Sequence, residues 1–143
     1  MGIRNCVNLK GQFIFPLKFT FMFLQLAHTK LDVDQFSQQL CLECYRITKK
    51  FPNDEKFALV QQIRRAAISV HLNLAEGCSR KSLAERKRFF EISRGSVIEI
   101  DSAIGISFKL EYVTLVELKP LGDAIINTFK LISGMIKGDE THH

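Results

Sequence analysis

From residue 31 onward, apolar side chains recur every three or four positions, the repeat that gathers them on one face of an α-helix. Four such runs follow one another. The first joins Val33, Phe36, Leu40, Cys44, Ile47 and Phe51; the second joins Leu59, Ile63, Ala66 and Val70, widened by Val60, Ala67 and Leu74. In the third, Leu83, Phe90, Val97 and Ile104 stand seven apart with Ile100 and Phe108 between them. The fourth runs through Leu115, Leu118, Ile125, Phe129, Ile132 and Ile136. Before each run stands a short side chain able to accept hydrogen bonds from the free amides of a first helical turn: Asp32, Asn53, Ser82 and Thr114. Gln35, Glu85 and Glu117 complete a reciprocal capping box for Asp32, Ser82 and Thr114. The pattern predicts four amphipathic helices, stabilised chiefly by burying one face each.

Few residues separate the runs, at Phe51-Pro52, around residues 78–81 and near Tyr112-Val113. Links this short make consecutive helices antiparallel. The expected fold class is therefore all-α, an antiparallel up-down-up-down four-helix bundle over residues 31–138, with a short tail at 139–143. Pro120 conflicts with the fourth run, because it lacks a backbone N–H and crowds the carbonyl four residues back. The fourth helix is expected to be regular only beyond it. Residues 1–30 read differently, as Phe13 to Leu24 is Phe-rich without helical periodicity. A poorly ordered extension, or a segment translated upstream of a start at Met22, is the first expectation there. A strand or helix docked on the bundle comes second. A signal or membrane anchor comes last, since Pro16 and Lys18 interrupt the apolar stretch and no small-residue cleavage site follows.

Composition narrows the class without naming a function. The 143 residues fit one domain, and 46% apolar with 24% charged residues are the proportions of a soluble globular chain, not of a disordered or rod-like one. An excess of 20 Lys and Arg over 15 Asp and Glu leaves a net charge of +5, which suits acidic partners such as nucleic acid or an anionic membrane surface. Cys6, Cys41, Cys44 and Cys78 make no dense disulfide framework, so a reduced, cytoplasmic setting is expected. Cys41 and Cys44 have C-x-x-C spacing but no second pair or histidine beside them. Packing is the expectation for them, with no metal and no cofactor.

Two polar groups do not fit a plain bundle. Arg65, Ser69, Asn73, Glu76 and Arg80 form one row beside the second apolar stripe, and Arg88, Gly95, Ser96 and Glu99 offer a counterpart on the third helix. Ser69 and Asn73 are short, poor helix formers, and Gly95 costs about 1 kcal/mol of helix propensity relative to alanine, so something is expected to pack closely there. The preferred reading is a polar seam between these helices or a subunit interface, with Arg65 and Arg88 pairing with Glu76 and Glu99. A catalytic pocket is disfavoured because the arginines would hold both carboxylates ionised. His71, the lone histidine of the bundle body, is expected to be structural. The second group crowds the turn between these helices: Arg80, Lys81, Arg86 and Lys87, with Arg64 on the preceding helix. It is the candidate nucleic-acid-binding surface, acting on phosphates through charge and without base specificity. A solvated turn is the alternative.

Several of these residues stand in a recognisable order. Phe51-Pro52 with Glu55, Gln61-x-x-Arg64-Arg65-Ala66, Ser69-x-x-x-Asn73-x-Ala75-Glu76-Gly77, Arg88 and Gly95-Ser96-x-x-Glu99 resemble the four-helix bundle proteins encoded by intervening sequences in bacterial 23S ribosomal RNA genes. The resemblance covers about residues 30 to 137. It marks Arg65, Ser69, Asn73, Glu76, Gly77, Arg88, Gly95, Ser96 and Glu99 as a structural signature. It implies a ring-like homopentamer and no enzymatic activity. It also brings in a relative, the accessory protein of diversity-generating retroelements, that binds nucleic acid and reverse transcriptase through a basic surface. Where such proteins commonly carry Pro after Ser-Ile, this chain has His71, so any kink in the second helix should be weaker.

The leading functional expectation is a non-enzymatic oligomeric adaptor that contacts RNA or DNA through its basic surface. The alternative is an interaction module for an acidic protein or polymerase without direct nucleic-acid binding. No small-molecule substrate is indicated, and a metal-dependent nuclease is a poor third, because Glu76 and Glu99 are interleaved with arginine.

Overall fold

Each apolar run becomes a helix in the computed structural model, which describes residues 23, 24, 26 and 32–140. The extension read over residues 1–30 lies outside the described residues but for Phe23, Leu24 and Leu26. Helix α1 spans Asp32–Thr48, α2 Leu59–Ser79, α3 Leu83–Lys109 and α4 Leu115–Glu140, with a 3-10 turn at Asn53–Glu55. Helix α4 thus runs two residues into the segment read as a tail.

Cross-helix bonds show the directions. Between α1 and α2, Ser37 meets His71 and Thr48 meets Arg64, so one number rises as the other falls. Gln62 with Glu99 and Ser69 with Ser96 show the same for α2 and α3. Lys50 with Glu117 and Phe36 with Thr128 show it for α1 and α4, and Arg86 with Asp139 joins the start of α3 to the end of α4. All neighbours are antiparallel. Helix α1 packs on α2 and α4, and α3 packs on α2 and α4, with the α2–α3 contact the most extensive. Inside this square sit Leu40, Cys44 and Ile47 of α1, Ile63, Val70 and Leu74 of α2, Phe90, Val97 and Ile100 of α3, and Leu121, Ile125 and Ile132 of α4.

Three expectations are corrected. Helix α2 starts at Leu59, one turn later than the Asn53 cap implied. Buried Phe51 anchors the chain here, and Glu55 divides its carboxylate between the Tyr112 hydroxyl, 2.9 Å away, and the Leu59 amide, 3.3 Å away. The acidic cap exists, but it reaches forward from the preceding turn. Pro120 does not delay α4, which is helical from Leu115. The Thr114–Glu117 box closes both ways, with Thr114 N donating to Glu117 Oε2 at 2.9 Å and Glu117 N to Thr114 Oγ1 at 3.3 Å. The helix is therefore nucleated before the proline, and the one acceptor denied a partner belongs to Val116, which is 86% exposed and open to water. Finally, the buried stripe of α4 is rotated from the expected one. Leu121, Ala124 and Thr128 face the core, while Leu115 is 69% and Phe129 37% exposed. Phe36 and Phe108 likewise sit at the rim.

Helix α3 ends on Glu111, whose φ of 60° lies in the left-handed region usually given to glycine. Glu111 N donates to Phe108 O and Tyr112 N to Ser107 O, the paired bonds of a Schellman cap. Tyr112 then packs on Phe51, ring centroids 5.7 Å apart, fastening this turn to the end of α1. Among the described residues, no helix is long and apolar enough to cross a membrane.

Candidate nucleic-acid interface and polar seam

The antiparallel packing of α2 on α3 brings the two polar rows together. Ser69 and Ser96 share a hydrogen bond of 2.9 Å between their hydroxyls, and Asn73 Nδ2 donates back to Ser69 O at 2.8 Å and to Ser69 Oγ at 3.1 Å. Ser93, which belongs to neither polar row read from the sequence, donates 2.7 Å to the Val70 carbonyl from a fully buried position. It lies three residues before Ser96, so it shares a face with it, inside the apolar stripe between Phe90 and Val97. The small hydroxyls let the two backbones approach while each polar atom keeps a partner.

The expected ion pairs across the seam do not form. Glu76 pairs with Arg80 four residues on, at the cap of the same helix, and among the described residues Glu99 accepts only from Gln62 Nε2, at 3.4 Å. Arg65 and Arg88 have no carboxylate partner among the described residues. A pair one helical turn apart forms without ordering a second helix, so Glu76 is satisfied locally. Arg65 and Glu99 instead face each other across an open groove of about 300 Å³, lined also by Ser69, Ile92, Gly95 and Ser96. Gly95 was expected to mark a close approach, yet a Cβ built there meets nothing within 4 Å. The close approach is at Gly77, where a Cβ would lie 2.7 Å from Phe90 Cε1 and 3.1 Å from Phe89 Cβ.

The candidate basic cluster divides. Arg80 is ion-paired to Glu76, lies 4.0 Å from Glu85 Oε1 and covers the Phe89 ring. Arg86 reaches Asp139 at 3.4 Å and covers Phe90. Two of the charges meant for phosphates thus hold the turn and the end of α4 in place. Lys81 is exposed and Lys87 half-buried beside them. Arg64 is not part of this cluster, because it lies about 24 Å away along α2 at ~1.5 Å per residue. There it donates from Nε to Thr48 Oγ1 at 2.9 Å, with its guanidinium 4.6 Å from the Tyr45 ring centroid.

Cys44 is fully buried, and burial first, then the neighbouring Cys41 and Glu43, pushes its thiol up to about 12. It packs as a small apolar residue. His71 Nδ1 lies 2.8 Å from Ser37 Oγ, and with the hydroxyl hydrogen given to Asp34 O at 2.9 Å the ring nitrogen is the donor, tying α2 to α1. Helix α2 runs unbroken through this position.

Comparison with known proteins agrees with this architecture. A crystal structure of a protein of unknown function from the S23 ribosomal protein family of Bacteroides thetaiotaomicron VPI-5482 superposes with a TM-score of 0.68 at 22% identity, over 73% of this chain and 98% of that one. No curated protein matches the sequence. The family described as 23S rRNA-intervening sequence protein matches residues 29–134, and with most of the chain inside that match the protein belongs to this family.

Proposed function

We propose that this chain is a non-catalytic, oligomeric adaptor that binds RNA or DNA by charge in the cytoplasm. The observation that carries the reading is a set of cations without carboxylate partners among the described residues: Lys56, Arg64 and Arg65 near the start of α2, and Lys81 and Arg88 beyond its end, in a chain of net charge +5. Unpaired surface cations attract phosphates and release their counterions. Self-assembly, a pentamer by the family resemblance, is supported by the groove at Arg65, Gly95 and Glu99, where a helix carries a glycine that nothing in its own chain requires. Binding of a fluorescent RNA, followed by anisotropy across a salt series, tests the proposal. The affinity should fall steeply and log-linearly with salt; absence of binding at low salt would sink it.

One observation favours a second reading. Ile98, Ile126 and Phe129 line an apolar groove of about 310 Å³ between α3 and α4, with all three side chains exposed. Such a surface suits a protein partner, including a polymerase. Co-purification with a polymerase, without affinity for naked nucleic acid, would favour it.

A further inference from the structure

The candidate basic cluster lies at the α2–α3 turn, but a different surface combines unpaired charge with exposed aromatic area. Between the end of α1 and the start of α2 lies a groove of about 470 Å³ lined by Tyr45, Lys56, Phe57, Arg64, Arg65 and Ile68 among others. Among the described residues, no carboxylate lines it. Glu55, next to Lys56 in sequence, is held on Tyr112 and the Leu59 amide instead.

Arg64 is fixed before any ligand arrives. Its Nε is spent on Thr48, whose own hydroxyl donates 2.8 Å to Cys44 O, and its plane is held against the Tyr45 ring. That leaves its two terminal nitrogens as paired donors, the fork that suits a phosphate. Lys56 Nζ stands 5.4 Å from the Phe57 ring centroid. Phe57 itself is 80% exposed, off the apolar stripe of α2 and unused by the core.

The occupant must be anionic to meet three cations and must offer a flat apolar face to meet the open side of the Phe57 ring. A duplex offers the first but hides its base faces in the stack. A single strand offers both in every nucleotide, and single-strand sites combine a cationic track with aromatic stacking platforms in this way. We propose that the α1–α2 groove holds a short stretch of single-stranded nucleic acid, with phosphates on Lys56, Arg64 and Arg65 and a base stacked on Phe57. The proposal rests on the nucleic-acid reading above and gives it a strand type and a site.

Anisotropy with a labelled 12-nucleotide single strand and a duplex of equal length, on the full chain, tests it. The single strand should bind more tightly. Phe57→Ala should weaken it roughly 5- to 150-fold, the range of one lost stacked base, with the salt slope kept. Lys56→Gln and Arg65→Gln should each lower that slope by about 1. Thermal melting should leave Phe57→Ala as stable as the unsubstituted chain, since the ring packs on nothing buried. Equal affinity for the duplex would overturn the single-strand assignment. So would binding that survives all three substitutions but is lost on Lys81→Gln with Arg88→Gln, which would leave the broader reading standing with another site. Absence of any binding defeats both. A fall in mass by light scattering on Phe57→Ala would assign the groove to a second copy of the chain and overturn the proposal.

Discussion

Gly77 and Gly95 are both helical glycines of the signature, and the structure gives them opposite roles. Alanine in place of glycine gains about 1 kcal/mol of helix propensity. At Gly77 that gain meets the Phe90 ring at 2.7 and 2.8 Å, and Phe90 is fully buried, with no room to retreat. Overpacking of a closed core costs typically about 1–3 kcal/mol, so the clash outweighs the propensity. Gly77→Ala is expected to lower the melting temperature by several degrees in a circular dichroism melt; an unchanged or higher value would mean the ring gives way. The sequence pointed to Gly95 as the crowded position, and the crowding is at Gly77 instead. That depends on the rotation of each helix about its axis, which a stripe of apolar residues defines only to within a residue or so.

Among the elements, the joint between α1 and α4 turns on Glu117. Its carboxylate accepts from Lys50 Nζ at 2.5 Å and from both the backbone and hydroxyl of Thr114, while Arg46 donates to its carbonyl at 2.9 Å. The Lys50 hydrogen bond, then those from Thr114, hold the carboxyl at about 2, below the ordinary 4.5. A group depressed in the folded state contributes stability above its unfolded value and loses it as the pH falls through the folded one. The contribution is therefore complete above pH 4.5 and fades toward pH 2. In Glu117→Gln, the deficit in melting temperature relative to the unsubstituted chain should shrink across that window; a constant deficit would refute the assignment. Thr114 and Glu117 were legible as a capping box because the motif is local. So were the four helices, their order and their directions. The delayed start of α2 was not, because Glu55 is drawn away by Tyr112, a residue far along the chain. The same limit applied to the basic surface. Arg86 read as free charge until the fold supplied Asp139, whereas the Arg80–Glu76 pair is local, one turn apart in a row already visible in the sequence.

At the scale of the whole molecule, the open groove between α2 and α3 separates one chain from an assembly. Within one chain Gly95 costs helix propensity and gains nothing, since its missing Cβ would touch no atom within 4 Å. Arg65 and Glu99 flank it without meeting, and exposed Ile92 shares its floor. A cation of a second copy could close on Glu99, which has no cationic partner among the described residues, leaving Arg65 to the α1–α2 groove. In a separate monomer, a Cβ at Gly95 would meet nothing, and Gly95→Ala would raise stability by about 1 kcal/mol. In an assembly seated on this groove, a large residue would block the approach. Gly95→Leu is therefore expected to keep the helical circular dichroism spectrum while reducing the mass measured by light scattering to that of smaller species. If the mass is unchanged and only the stability rises, the copies meet through another face, and the signature residues of the groove serve the α2–α3 contact alone.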